Sequence, residues 1–144
     1  MIMEVKIKRT HPDAVIPSYA KDGDAGLDLT ATTISQHSGY TEYGTGICVE
    51  IPKGYVGLLF PRSSVTTKGI MLKNSVGVID SGYRGEIKFR FQTVYDYTNH
   101  SDFYTVGERI GQLVILPYPT IEVVEVDELL DSERGTGGYG SSGN

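Results

Sequence analysis

The sequence predicts a single all-β domain of the sandwich or barrel type. Glycine accounts for 18 of the 144 residues, and this content argues against a helical bundle because each glycine inside a helix costs about 1 kcal/mol relative to alanine. Short runs in which apolar and polar residues alternate recur along the chain, as expected for half-buried strands. Turn-forming clusters of Gly, Pro, Asp and Ser separate these runs at regular spacing, which favours a sandwich or barrel.

Six runs are predicted as strands, at residues 3–8, 47–51, 55–60, 87–93, 110–116 and 121–126. In most of them the apolar side chains alternate, so each strand is expected to bury one face. The run from Ile110 to Leu116 is nearly all apolar, and we predict a central strand that is buried on both faces. The segment from Ser64 to Lys68 is the strongest helix candidate. Val76, Val78 and Ile79, with glycines beside them, predict a hairpin.

The composition argues against several kinds of partner. The net charge of −5 and the lack of a basic stripe argue against binding to a nucleic-acid polymer. Cys48 is the single cysteine and the three histidines are far apart, so neither an intrachain disulfide nor a structural transition-metal site is expected. No run of about 18 apolar residues could span a membrane, and the apolar core of a signal peptide is missing. The predicted location is the cytoplasm.

The chain ends in a segment of different composition, residues 132–144, which reads SERGTGGYGSSGN. Its one large apolar group is Tyr139, so burial cannot offset the entropy of ordering it. We therefore predict a folded domain over residues 1–131 and a flexible Gly-rich tail over residues 132–144. The glycine spacing matches a dinucleotide-binding fingerprint, but the strand and helix that the fingerprint requires are missing.

Two interpretations of this tail stay open. It is either a plain linker, such as cloning leaves behind, or a segment that becomes ordered over a nucleotide. In the second case the glycine N–H groups would wrap an anion, Arg134 would pair with phosphate and Tyr139 would stack on a base.

Other candidate residues have an ordinary structural alternative as well. Arg62 with the two hydroxyls of Ser63 and Ser64 forms either a phosphate cradle or an ordinary turn. Asp28 lies between two leucines and faces away from the side on which they pack. It is therefore either a ligand of a hydrated metal, a contact to another chain or a solvent-facing strand residue.

Two further segments belong to this group. Asp80 is either a general base that faces a cleft or a carboxylate that caps its own turn. Tyr83 would pack on a ligand or serve as an ordinary aromatic residue. Gln112 is polar within an apolar strand, so its amide needs either a ligand phosphate or a neighbouring backbone group. Glu108 and Arg109 are expected to be structural ion-pair partners.

The order of these segments resembles the five motifs of the trimeric deoxyuridine triphosphate nucleotidohydrolases (dUTPases). They read AGLDL, PRSS, NSVGVIDSGYRGE, GERIGQL and RGTGGYGSSG, and they extend from Asp24 to the end of the chain. The resemblance implies a β jelly roll (a distorted β-barrel) and a homotrimer whose active sites are shared between subunits. It also implies Mg²⁺-dependent hydrolysis of dUTP to dUMP and pyrophosphate, which supplies dUMP and keeps uracil out of DNA.

The resemblance implies roles for individual residues. Asp80 would orient and deprotonate the water that attacks the α-phosphorus, and Asp28 would hold Mg²⁺ indirectly through a metal-bound water. Tyr83 would lie beneath the deoxyribose, and Tyr139 would stack over uracil when the tail of another subunit closes. The remaining substrate-binding positions are Arg62, Ser63, Ser64, Asn74, Gly77, Val78, Ile79, Gln112, Arg134, Gly135, Thr136 and Gly137.

The second motif of the dUTPase family usually reads PRSG, and Ser64 can replace that glycine only if its φ is not positive.

Two alternatives to a dUTPase remain. The related dCTP deaminases commonly carry RSS in the second motif, but this chain has Arg90 where they need a catalytic Glu, and an arginine cannot act as that base. The other alternative is a non-catalytic module whose contacts are gated by dUTP. A pure binder has no need of Asp80, so the residue set favours the enzyme.

Overall fold

The computed structural model describes residues 2–94 and 103–143. Within them lie nine strands and one 3-10 helix, and no helix there is long and apolar enough to cross a membrane. The strands are β1 (Lys6–Arg9), β2 (Leu27–Thr30), β3 (Thr33–His37), β4 (Tyr40–Glu50), β5 (Tyr55–Pro61), β6 (Ile70–Leu72), β7 (Gly77–Ile79), β8 (Glu86–Thr93) and β9 (Arg109–Pro117), and the 3-10 helix is Ser63–Thr67. The all-β prediction is confirmed, as is the short helix near Ser64.

Two antiparallel sheets make up the fold. One has the strand order β1-β4-β8-β6, with β3 also paired to β4, and the other has the order β2-β9-β5-β7. Among the described residues these sheets do not join into a closed barrel. The jelly-roll prediction therefore holds as an open two-sheet arrangement rather than as a distorted barrel.

The core lies between the sheets and follows the alternation of the strands. On β8, the side chains of Ile87, Phe89 and Phe91 are buried, whereas Lys88 and Arg90 between them are exposed. Burial of one such apolar side chain stabilises the fold by about 1.5–3 kcal/mol. The second sheet contributes the buried side chains of Leu29, Leu59, Ile79, Ile110 and Leu113.

A buried aromatic cluster of Tyr43, Phe91 and Tyr104 packs the segment before β9 against this core. The ring of Tyr43 meets the ring of Phe91 edge-on, with 5.6 Å between the centroids. The Tyr43 hydroxyl donates a hydrogen bond of 2.9 Å to the carbonyl oxygen of Tyr104. Burial raises the pKa of Tyr43 to about 12, so this hydroxyl stays neutral and remains a donor at physiological pH.

Strand β4 begins earlier than the strand predicted at residues 47–51. The prediction missed its first half because apolar and polar residues do not alternate there. Thr45 is buried there, and its hydroxyl donates to the carbonyl oxygen of Ile87 at 2.6 Å. The pairing with β8 shifts register between Gly44 and Cys48, and Gly46 adopts a φ of 66°. A buried threonine and a bulge at glycine break the pattern that identifies a strand.

One strand prediction is right in part and another is wrong. Strand β9 is central in its sheet, as predicted, but it is not buried on both faces along its length, since Leu113 is 1% exposed and Leu116 is 44% exposed. Residues 121–126 form no strand, and the side chain of Val123 is 90% exposed. Alternation marks a segment that can form a strand, but it does not supply the neighbouring strand or the second layer.

The predicted hairpin around Val76 is a connection between the sheets. Strand β6 pairs with β8 and strand β7 pairs with β5, so the two strands belong to different sheets. Ser75 turns the chain with a φ of 63°, and its N–H donates to the carbonyl oxygen of Leu72 at 3.1 Å. The prediction of a paired hairpin is therefore wrong, although the turn itself is present.

Glu42 of β4 holds two basic side chains of β8 on the outer face of the first sheet. Its carboxylate accepts a hydrogen bond of 2.8 Å from Arg90 and one of 3.3 Å from Lys88. Partial burial opposes ionisation of Glu42, but these two bonds outweigh it, so the pKa of Glu42 is lowered.

Substitution of Glu42→Gln should make stability less sensitive to acid. A lowered folded-state pKa means that the contribution of Glu42 is complete above its unfolded pKa of 4.5 and is lost as the pH falls through the lower folded value. Melting temperatures of the wild type and the variant should therefore differ most at neutral pH and converge in acid. Glu4→Gln, at an exposed position, is the control, and a pH-independent gap for Glu42→Gln would contradict the assignment.

Candidate active site

The candidate residues line two clefts on the surface. The turn cleft has a volume of about 310 Å³ and is lined by Asn74, Val78, Ile79, Asp80, Tyr83, Glu86, Lys88 and Arg90. The arginine cleft has a volume of about 420 Å³ and is lined by Ala20, Lys21, Asp24, Ala25, Gly26, Asp28, Phe60, Arg62, Ser63, Gln112 and Val114. No residue in these two sets lines both clefts.

The turn cleft is built around the two ends of β7. Asn74 lies in the turn before the strand, and Asp80 follows directly after it. The N–H of Tyr83 donates to the carbonyl oxygen of Asp80 at 3.0 Å, which closes the next turn. This turn keeps the Asp80 carboxylate and the Tyr83 ring at the same end of the strand.

Strand β7 offers mostly its backbone to the turn cleft. It is an edge strand, paired only to β5 among the described strands, so one row of its N–H and C=O groups points away from the sheet. Val78 is 63% exposed, whereas Gly77 and Ile79 face the interior, where Gly77 lies against Leu59. A planar ligand with its own donors and acceptors can pair with such an edge.

The arginine cleft begins with a row of side chains across the second sheet. Asp28 of β2 lies opposite Gln112 of β9, and Gln112 lies opposite Phe60 of β5. The Gln112 amide donates to the carbonyl oxygen of Pro61 at 3.2 Å, so a neighbouring backbone group satisfies it in the free chain. Gly26 makes room for the Gln112 side chain, because a Cβ at Gly26 would overlap it.

Two arginines surround the single carboxylate of Asp28. One carboxylate oxygen is 3.6 Å from Nε of Arg62, and the other is 3.0 Å from Nη1 of Arg109. Arg109 is thus a structural ion-pair partner, as expected, whereas Glu108 instead accepts a hydrogen bond from the N–H of Thr105 at 2.6 Å. The charged groups that line the cleft balance, with Lys21 and Arg62 against Asp24 and Asp28. Arg109 beside Asp28 adds one positive charge, which suits an anion.

The serines at the start of the 3-10 helix face different ways. Ser63 lines the arginine cleft. The Ser64 hydroxyl lies 2.9 Å from the Tyr104 hydroxyl, so its backbone N–H is the group left for a ligand. Ser64 is not among the residues with positive φ, and serine can therefore replace glycine at this position without strain.

The tail lies apart from both clefts in this chain. Nε of Arg134 donates to the carbonyl oxygen of Gly137 at 2.7 Å, and the N–H of Gly135 donates to the Ser132 hydroxyl at 3.1 Å. The Tyr139 ring is fully exposed. The lining residues of both clefts come from residues 20–114, so the predicted contacts of Arg134, Gly135, Thr136, Gly137 and Tyr139 stay predictions.

Sequence reasoning missed residues at both clefts. Lys88 occupies an outward position of β8, so the alternation placed it on the surface but could not place it in the cleft with Asp80. Arg90, at the position where the deaminases carry their Glu, lines the same cleft. Lys21 and Asp24 line the arginine cleft and form a turn, in which the N–H of Lys21 donates to the Asp24 carboxylate at 2.9 Å. The Lys-Asp-Gly-Asp cluster indicated that turn but not its neighbours.

The Asp28 carboxylate in the arginine cleft fits a magnesium ion whose other ligands are mainly waters and phosphate oxygens. Among the described residues no group of three or more His, Cys, Asp and Glu side chains could hold a metal. Asp28 contributes one carboxylate, and its side chain is 17% exposed. Mg²⁺ at phosphates keeps several waters and needs only one or two carboxylates, so this donor set suits it.

Comparisons with known proteins agree with these observations. The family model for dUTPase matches residues 12–143. The chain is 42% identical to the deoxyuridine 5'-triphosphate nucleotidohydrolase of Rhodococcus erythropolis, over 98% of this chain and 87% of that protein. It is 41% identical to the enzyme of the same name from Escherichia phage T5, over 97% and 99% of the two chains.

A solved structure extends the similarity to the whole fold. A mutant of the dUTPase of Staphylococcus bacteriophage 80alpha, with dUpNHpp, superposes with a TM-score of 0.83. It is 28% identical in sequence, and the match covers 98% of this chain and 99% of that chain. Motif order, strand arrangement and sequence identity over nearly the full length lead to the same assignment: the chain belongs to the dUTPase family.

Proposed function

We propose that this protein is a dUTP diphosphatase, which hydrolyses dUTP to dUMP and pyrophosphate. The observation that carries the proposal is the turn cleft, where a backbone edge, a carboxylate and an aromatic ring converge. The curated relatives bear the name of this activity, and the phage 80alpha enzyme was solved with dUpNHpp. Acting on free nucleotides in the cytoplasm, the enzyme supplies dUMP and keeps uracil out of DNA.

The turn cleft selects the nucleoside. Uracil pairs with the free backbone edge of Gly77, Val78 and Ile79 and with the Asn74 amide. Cytosine reverses a donor and an acceptor, and each buried group left unpaired costs about 1–3 kcal/mol. Tyr83 lies beneath the deoxyribose and leaves no room for a 2′-hydroxyl.

Asp80 receives the proton of the attacking water. Its carboxylate orients the water towards the α-phosphorus, the new P–O bond forms, and the bond to the pyrophosphate oxygen breaks. A carboxylate is a weak base towards water, so most of the acceleration comes from positioning and from charge stabilisation. Arg62, Ser63 and Gln112 supply that stabilisation in the arginine cleft, together with the N–H of Ser64.

Magnesium supplies further neutralisation of charge on the triphosphate when it is bound. Asp28, a partly exposed carboxylate in the arginine cleft, would hold the hydrated ion indirectly. Arg109 orients the Asp28 carboxylate, since its Nη1 lies 3.0 Å from one carboxylate oxygen.

A homotrimer with shared active sites fits the separation of the two clefts. The turn cleft of one subunit, which binds the nucleoside, would lie next to the arginine cleft of a second subunit, which binds the phosphates. Exposed apolar groups support such an assembly: Val78 is 63% exposed, Leu116 is 44% exposed, and Val123 and Leu130 are 90% and 99% exposed. A second copy of the chain would cover such side chains.

The tail of a third subunit closes the site. Arg134 pairs with phosphate, and the N–H groups of Gly135, Thr136 and Gly137 wrap it. Tyr139 stacks over uracil and excludes water. Among the described residues the tail lines neither cleft of its own chain, as expected of a segment that closes over another subunit.

Substitution of Asp80→Asn should abolish turnover while sparing binding. An amide cannot accept the proton, and loss of a general base costs about 10²–10⁴-fold in kcat. The assay measures pyrophosphate release from dUTP, dCTP, dTTP and UTP, with and without Mg²⁺, and dUTP binding by calorimetry. Asp13→Asn, an exposed carboxylate outside both clefts, is the matched control.

Three outcomes of this assay would contradict the proposal. Tight binding of dUTP by the wild type without any product would indicate a non-catalytic module. Ammonia release from dCTP would indicate the deaminase alternative, although Arg90 lines the turn cleft where that enzyme needs a carboxylate. Full turnover by Asp80→Asn would remove Asp80 from the mechanism.

Deletion of residues 134–144 should lower kcat for dUTP while leaving the melting temperature and the oligomeric state unchanged. The tail makes no part of the two described clefts, so its loss affects closure rather than folding. Deletion of residues 141–144 alone, which spares Tyr139, is the control. Equal kinetics of the two truncated proteins and the full chain would show that the tail is a linker.

Shared sites predict complementation between two inactive variants. Co-refolded Asp80→Asn and Arg62→Ala chains should recover about a quarter of the wild-type activity, because a quarter of randomly mixed sites combine an intact turn cleft with an intact arginine cleft. The double variant mixed with either single variant is the control. Mixed trimers without activity would place both clefts of a site on one chain.

A further inference from the structure

The ring of Tyr83 is folded back along its own chain. Its hydroxyl donates a hydrogen bond of 2.9 Å to the carbonyl oxygen of Glu86, three residues further on. The residue remains 44% exposed, and it lines the turn cleft beside Asp80. The position of this ring thus defines one wall of the cleft.

Gly85 lies directly against this ring. A Cβ at Gly85 would overlap the Tyr83 hydroxyl and would lie only 2.8 Å from Cε1 of the ring. The φ of Gly85 is not in the left-handed region, so the backbone conformation does not require glycine. Glycine is required at position 85 because it leaves space for the Tyr83 ring.

Gly82 in the same turn provides a natural contrast. A Cβ at Gly82 would meet no atom within 4 Å, and its φ is not positive either. Alanine is therefore compatible with both the space and the conformation at Gly82. Of these two glycines three residues apart, only Gly85 lies against the ring.

The turn itself is held independently of the ring. Nη1 of Arg84 donates to the carbonyl oxygen of Ser81 at 2.7 Å and to that of Tyr83 at 3.2 Å. The N–H of Tyr83 donates to the carbonyl oxygen of Asp80. A side chain at position 85 would therefore displace the ring and leave the backbone that carries Asp80 in place.

We propose that Gly85 is a positioning residue that sets the selectivity of the enzyme for deoxyribose over ribose, acting through the Tyr83 ring. This inference rests on the proposed function, in which Tyr83 lies beneath the sugar. Only glycine leaves space at position 85 for the ring with its hydroxyl bonded to the carbonyl oxygen of Glu86. Rejection of a 2′-hydroxyl depends on the position of that wall, and a displacement of about 1 Å changes such positioning.

The test compares Gly85→Ala with Gly82→Ala and the wild type on dUTP and UTP. For Gly85→Ala, the ratio of kcat/KM for dUTP to kcat/KM for UTP should fall about tenfold, the scale of one steric contact in a pocket. KM for dUTP should rise while kcat changes little, since Asp80 stays in place. Gly82→Ala should keep the wild-type ratio, and an unchanged ratio for Gly85→Ala would overturn the proposal.

A second pair of variants tests whether Gly85 acts through the ring. Adding Gly85→Ala to Tyr83→Ala should cause no further loss of selectivity, because the contact is already gone. If Gly85→Ala alone unfolds too readily for kinetics, the double variant should regain the melting temperature of Tyr83→Ala. An additional loss of selectivity or stability in the double variant would overturn the proposal.

The activity of the wild type distinguishes failure of the proposed function from failure of the role of Gly85. Failure of the wild type to hydrolyse dUTP would contradict the proposed function itself. Hydrolysis of dUTP by the wild type, with the same sugar selectivity in Gly85→Ala, would contradict only the role of Gly85.

Discussion

The contact between Phe89 and Gly111 across the sandwich sets the geometry of both clefts. A Cβ at Gly111 would overlap the Phe89 ring, so the ring lies directly on the backbone of β9. Successive residues of a strand point to opposite faces. Burial of Phe89 therefore sends Lys88 and Arg90 outward to the turn cleft, and the inward position of Gly111 sends Gln112 outward to the arginine cleft.

The charged side chains of the arginine cleft determine where an anion can bind. Asp28 is held by Arg62 and Arg109 in the arginine cleft. The chain carries a net charge of −5, so attraction for a triphosphate depends on local arrangement rather than on the total. This arrangement explains how a protein of acidic net charge is suited to an anionic substrate.

Alternation predicted strands well where both the strand and its neighbours followed a simple pattern. The inward positions of β8 were correct because Ile87, Phe89 and Phe91 face one continuous core. The first half of β4 was missed because Thr45 is buried through a hydrogen bond rather than through apolar contact. Candidate site residues were predicted from chemical type and motif order, but the strand pairings that bring them together, such as Asp28 opposite Gln112, could not be read from the sequence.

The sequence by itself determined the fold class, the family resemblance and the chemistry available at Asp28, Arg62, Asp80 and Tyr83. Side-chain type, short-range alternation and motif order are properties of neighbouring residues, so they can be read along the chain. Tertiary structure alone decided that residues 121–126 pair with no strand in the described part of the chain, and that glycine at position 85, unlike position 82, leaves space for a ring. Such properties depend on which distant atoms come close together, and that is decided only when the sheets pack.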